Sequence, residues 1–195
     1  MAQAKTILTE HYPANMVLLR GFSTQPRFPT MDKVYKLKPV AIASYPMYRG
    51  LAKLVGMTVI ETGINIKEEF NTLKKNYNNF DFFFLHIKKA DSYGEDGNFD
   101  QKVKIIEQVD KYIPTLTELG TDVIVVTGDH STPALLKGHS WHPVPVLLHS
   151  NWCRPDKASE FAESACITGG LGRFPATQLM SLIMANALKL NKFGA

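Results

Sequence analysis

The side chains best suited to holding a cation lie in three short stretches of this 195-residue chain. Asp129 and His130 stand side by side after the apolar run Val123-Ile124-Val125-Val126, and Gly128 lets the backbone turn just before them. Together they offer one hard oxygen and one imidazole, a pair that suits Mn, Zn or a related divalent ion. An isolated Asp-His pair is more often a turn-capping carboxylate beside a hydrogen-bonded loop histidine, because short matches are common. His139, in Gly138-His139-Ser140, moves the balance toward a metal site, as does Asp91, which follows the run Phe82-Phe83-Phe84-Leu85.

For these residues to meet, the chain must bring several strand ends together. Strand-like apolar runs occupy 40–43, 57–60, 81–87, 122–127 and 144–148, and 81–87 is apolar and aromatic enough for a central strand. Met16-Val17-Leu18-Leu19 reads as a further buried strand, and 22–29, with two prolines, as a loop. Helical spacing covers 47–55 and 66–77, and Thr30 is placed to cap a short helix through Lys36. The longest helical pattern is 100–119, where Val103, Ile106, Val109, Ile113 and Leu116 form one apolar face and Pro114 should bend the helix or end its first part. A last amphipathic helix is expected over 175–190. Strands alternating with helices predict an α/β fold with a mainly parallel sheet covered on both faces. In such sheets ligands bind beyond the carboxyl ends of the strands, which is where Asp91, Asp129 and His130 fall.

Composition narrows the function classes. The chain is 45% hydrophobic and 21% charged, and no apolar run approaches the roughly 20 residues of a membrane-spanning helix. Neither a membrane partner nor a secretion signal is expected. Cys153 and Cys166 impose no disulfide framework, so a cytoplasmic location is the simplest expectation. The net charge of +4 mildly favours anionic partners but is spread along the chain, without the basic stripe or interleaved aromatics of a nucleic-acid binder.

Longer segments carry a more specific signal. Phe84-Leu85-His86-Ile87-Lys88 followed by Asp91, Gly94 and Asp96-Gly97, then Gly128-Asp129-His130-Ser131-Thr132-Pro133, then Lys137-Gly138-His139-Ser140 with Pro143-Val144-Pro145-Val146, occur in one order. With Tyr45-Pro46-Met47-Tyr48-Arg49-Gly50, Gly169-Gly170-Leu171-Gly172-Arg173 and the ending Lys192-Phe193-Gly194-Ala195, they resemble the archaeal-type, cofactor-independent phosphoglycerate mutases of the alkaline phosphatase superfamily. The resemblance runs from about Asn15 to the last residue. It implies an alkaline phosphatase-like core over 39–195, incomplete at its N-terminal side, preceded over 1–38 by a remnant of an inserted substrate-binding domain and linker.

The resemblance implies two divalent ions, Mn or Zn with Mg as a further option, and no organic cofactor. Asp91 and His139 would hold one ion, and Asp129 and His130 the other. Arg20, Arg49 and Lys88 are the candidates for gripping the phosphate or carboxylate of phosphoglycerate, Arg with a bidentate fork and Lys as a point charge. Each of the three reads equally well as a solvated surface charge. In the family, phosphate passes from 3-phosphoglycerate to an enzyme serine and returns to the 2-oxygen, a step of glycolysis and gluconeogenesis.

Two departures qualify this expectation. The family's nucleophilic serine and a further metal-binding Asp belong to an N-terminal segment with no counterpart here, and Ser92, Ser131 and Ser140 match neither. The chain alone is therefore expected to be inactive, and to self-associate or to take its missing half from a second chain. Glu95 stands where the family pattern has His. It would either complete a harder ligand set with Asp91 and His139, favouring Mn or Mg over Zn, or face water from a flexible loop between Gly94 and Gly97. Other readings remain beside the mutase: a metal-dependent phosphatase, another phosphomutase, or a non-catalytic remnant that acts as a docking subunit.

Overall fold

A computed structural model describes residues 1–19, 21–24 and 26–191. In chain order the elements are α1 (Ala2–Ile7), α2 (Met31–Tyr35), β1 (Pro39–Ala43), α3 (Pro46–Leu54), β2 (Thr58–Ile60), α4 (Ile66–Asn76), β3 (Phe82–His86), α5 (Lys89–Glu95), α6 (Phe99–Asp110), α7 (Ile113–Glu118), β4 (Val123–Thr127), β5 (Val146–Ser150), α8 (Glu163–Cys166) and α9 (Leu179–Asn186). Strands β2-β1-β3 form a parallel sheet in that order, and β4 and β5 pair antiparallel in a second sheet. The fold is α/β with a parallel sheet and helices.

Local chemistry accounts for several element boundaries. Pro39 opens β1 and Pro46 opens α3, positions where a missing N–H costs nothing. Asn65 caps α4 by accepting the backbone N–H of Glu68; Glu68 and Glu69 lie in the first turn, and Lys74 and Lys75 in the last, each matching the helix dipole. Asn98 caps α6 in the same way through Gln101. The apolar pattern over 100–119 is divided between α6 and α7, with Pro114 in the first turn of α7.

Three expectations need correction. Met16-Val17-Leu18-Leu19 is not a strand: it pairs with nothing among the described residues, and Met16, Leu18 and Leu19 are exposed. Four apolar residues cannot supply the partner that a ladder requires. The central strand of the parallel sheet is β1, buried along its whole length, whereas β3 lies outside it and is only half-buried. The alternative in which Glu95 sits in a flexible loop between Gly94 and Gly97 does not hold either: Glu95 is the last residue of helix α5.

The core is built around Val40, Ile42 and Phe70, which are fully buried. A second cluster of Met31, Leu37 and Met184, with Phe82 and Met180 against it, packs α9 onto the parallel half. Ser150 at the end of β5 donates to Asn186 of α9 at 2.8 Å, tying the antiparallel half to the same helix. Cys153 and Cys166 are both free thiols. No helix of the described residues is long and apolar enough to cross a membrane.

Candidate metal centre

The carboxyl ends of β1, β3 and β4 supply the site, and the loop entering β5 completes it. Because β5 is antiparallel, its first residue Val146 pairs with Thr127, the last of β4, so the chain before β5 returns to the same end of the molecule. There an isolated bridge joins Ser131 and Ser140, with Ser140 N–H donating to Ser131 O at 2.9 Å. That bridge sets the His130 and His139 rings 3.7 Å apart, tilted by 31°.

Asp91 enters from the other side, in the first turn of α5. Its Oδ1 lies 3.6 Å from His139 Nε2 and 3.8 Å from His130 Nδ1. Asp91, His130 and His139 each offer one ligand atom, all within 4.8 Å of one another, and among the described residues this is the group of three with that geometry. Two imidazoles and a carboxylate are a fitting donor set for a divalent ion. Asp129 Oδ2 lies 3.5 Å from His130 Nε2, so the fourth expected residue borders the same space.

Glu95 stands one helical turn beyond Asp91 and shares its face. Its carboxylate is 3.6 Å from His139 Nε2 and 4.0 Å from Lys88 Nζ, so it faces the cluster while remaining half-exposed. The helix that places it depends on Gly94, which is buried. A Cβ there would collide with the Thr132 carbonyl oxygen and come within 3.0 Å of its Cγ2. Gly94 thus serves close packing, and the turn after the helix falls to Gly97, with φ of 70°.

Burial raises the Asp91 pKa, but hydrogen bonds from Lys88 and Thr132, with the Lys88 charge, outweigh it and hold the carboxyl below the usual carboxylate range. Burial likewise works against the Lys88 ammonium, and the same Asp91 partner outweighs it and raises its pKa. Lys88 also lies 4.9 Å from the centre of the Tyr45 ring. His86, at the end of β3, is held down to about 4 by burial and by Lys88, with Asp91 opposing, so it is neutral at physiological pH. It stacks on Tyr48 at 3.8 Å.

Of the three anion-gripping candidates, Lys88 borders the cluster, Arg49 is paired with Glu61 instead, and Arg20 lies outside the described residues, as does the ending 192–195. Two site residues escaped the sequence reading. Tyr48 donates its hydroxyl to Asp129, and Thr132 contacts both Asp91 and His130. Both sit inside segments singled out above, but neither residue type announces a site.

A probable 2,3-bisphosphoglycerate-independent phosphoglycerate mutase from Thermosipho africanus is 54% identical over 191 residues, covering 98% of this chain and 48% of that protein. The similarly named protein of Aquifex aeolicus is 53% identical over 194 residues, with 99% and 48% covered. The chain thus spans about half the length of these curated relatives. Among solved structures, the PH0037 protein from Pyrococcus horikoshii matches with a TM-score of 0.82 and 29% identity over 86% of this chain and 54% of that one. A cofactor-independent phosphoglycerate mutase from Thermoplasma acidophilum shares the fold, with a TM-score of 0.70 at 24% identity over 95% of this chain and 49% of that one. A family model described as the Metalloenzyme superfamily matches residues 4–186. Spanning nearly the whole chain, that match places the protein in the Metalloenzyme superfamily.

Proposed function

We propose that this chain is the metal-binding part of a cofactor-independent phosphoglycerate mutase, which interconverts 3-phosphoglycerate and 2-phosphoglycerate. The observation that carries the reading is the convergence of Asp91, Asp129, His130 and His139 at one end of the fold, in a chain about half identical to mutase-named relatives. Residues 39–195 form the metal-binding core, and 1–38 a linker with a remnant of the substrate-binding domain. The phosphate-accepting serine comes from outside these residues.

In this reading Asp91 and His139, with Glu95, hold one ion, and Asp129 and His130 hold the other. The additional carboxylate makes the first set harder and favours Mn or Mg over Zn. Bound divalent ions would supply Lewis-acid chemistry, activating an oxygen nucleophile and neutralising charge on a phosphoryl group. The protein's own contribution is placement. Lys88 keeps Asp91 ionised and puts a positive charge at the rim, where an anionic substrate arrives. Tyr48 holds the Asp129 carboxylate from behind.

The test is complementation. The chain alone, given Mn2+ and 3-phosphoglycerate, is expected to form no 2-phosphoglycerate. Joined to the remaining half of the Thermosipho africanus relative, it should form it in an EDTA-sensitive manner. Release of inorganic phosphate without isomerisation would reassign the activity to a phosphatase. Equal Mn2+ and Zn2+ binding by wild type, Asp129→Ala and His139→Ala would mark the site as an inactive remnant.

A further inference from the structure

Asp91 and His130 reach the site from opposite sides, and a single buried hydroxyl touches both. Thr132, 4% exposed, places Oγ1 2.6 Å from Asp91 Oδ1 and 2.9 Å from His130 Nδ1. A hydroxyl has one hydrogen, and an ionised carboxylate can only accept. The Thr132 hydrogen is therefore committed to Asp91, which leaves an oxygen lone pair facing His130 Nδ1. Two lone pairs at that distance would repel, so the contact is a hydrogen bond only when Nδ1 carries the hydrogen. In the neutral ring Nε2 is then bare, and Nε2 is the nitrogen 3.5 Å from Asp129 Oδ2.

We propose that Thr132 is a positioning residue that donates to Asp91, accepts from His130, and so fixes His130 as the Nδ1–H tautomer with Nε2 as its metal-binding nitrogen. This inference rests on the metal-binding reading above and adds the means by which ligands are sorted between two ions. Asp91 and His139 remain free to share one ion. His130 turns its ligating nitrogen toward Asp129, because the nitrogen facing Asp91 is occupied by the Thr132 hydroxyl.

Thr132 is held firmly enough for this task. Lys102 Nζ donates to its carbonyl oxygen at 2.5 Å, the Ser131–Ser140 bridge fixes the residue before it, and Gly94 allows α5 to pack directly on it. A clamped hydroxyl constrains its partners, whereas a free rotor would follow them.

The tautomer can be read directly. In the metal-free chain labelled with 15N-histidine, multiple-bond 1H–15N spectra under conditions where the ring is neutral should show His130 with hydrogen on Nδ1 and a bare Nε2. Thr132→Ser, which keeps the hydroxyl, should retain that pattern. Thr132→Val should revert to the Nε2–H form that imidazole favours in water, and its Mn2+ affinity should fall about 10- to 100-fold, with Thr132→Ser within about threefold of wild type. Hydrogen on Nε2 in the wild-type ring would overturn the proposal without reference to any variant. So would Thr132→Val that keeps the Nδ1–H form and full Mn2+ affinity. An Nδ1–H ring in a chain that binds no Mn2+ would sink the metal-binding reading while leaving Thr132 as the residue that sets the tautomer.

Discussion

The two halves of the molecule contribute different chemistry to the site. The parallel half, β1 to β3 with α3 to α5, supplies the carboxylates Asp91 and Glu95, the ammonium of Lys88 and the Tyr48 hydroxyl. The antiparallel half, β4 and β5 with their connecting loop, supplies both histidines, Asp129 and Thr132. The first half is anchored by a strand buried at every position, whereas β4 and β5 are largely half-buried or exposed. The cluster of Asp91, His130 and His139 forms only where the two halves meet. An ion held by Asp91 and His139 would require both halves in register, which makes its affinity a sensitive measure of their packing.

The largest effect is expected on removing Asp91, the parallel-half carboxylate that faces both histidines of the cluster. Asp91→Ala removes the carboxylate beside Lys88, His130 and His139 together, leaving Glu95 near His139 and Asp129 near His130. Mn2+ binding followed by calorimetry should weaken by more than about 100-fold, beyond the range of outer-sphere changes. Wild-type affinity in that variant would mean that Asp91 contributes nothing to the centre.

A smaller effect is expected where the halves are packed together. Gly94→Ala forces a methyl group into the Thr132 carbonyl, and backbone must move because no flexible side-chain end can give way. Urea denaturation should show a loss of about 1–3 kcal/mol, the usual range for overpacking. Mn2+ affinity should fall with it, since the displaced residue is the one that orients His130. Loss of stability with unchanged Mn2+ affinity would separate packing from ligand placement.

The burial of the parallel half can be tested away from the ligands. Glu69, on α4, is 3% exposed, and burial raises its pKa from 4.5 to about 7, with a hydrogen bond from Ser44 opposing the rise and Glu68 adding to it. The folded state therefore binds more protons than the unfolded chain between these values. Stability contributed by the protonated form is full below 4.5 and is lost as pH rises through about 7. Glu69→Gln removes that dependence and should stabilise the protein at pH 8 by up to about 3 kcal/mol relative to wild type. Chemical denaturation at pH 4 and pH 8 checks the sign, and a Glu69→Gln advantage that does not grow with pH would contradict it.

Much of this site was legible from residue order. Asp129 and His130 after an apolar strand, Asp91 after another and His139 in a glycine-containing loop are placed by strand ends, and strand ends follow from hydrophobic patterning. The helix from Lys89 to Glu95 was hidden because Gly94 and Gly97 read locally as flexibility; only the approach of Thr132 shows that the first of them is there for space. The run Met16-Val17-Leu18-Leu19 misled for the converse reason, since apolar residues form a strand only where another strand receives them.

Residue order alone specifies which donor types are present and that Asp91, Asp129 and His130 follow apolar strands, because both depend on interactions among neighbours in the chain. Long-range packing sets β5 antiparallel so that His139 returns to the cluster, pairs Arg49 with Glu61, and puts Tyr48 against Asp129 and Thr132 against Asp91. Those outcomes depend on hydrogen bonds whose geometry is specific to a few tenths of an ångström between residues up to 81 positions apart. No local pattern carries that information.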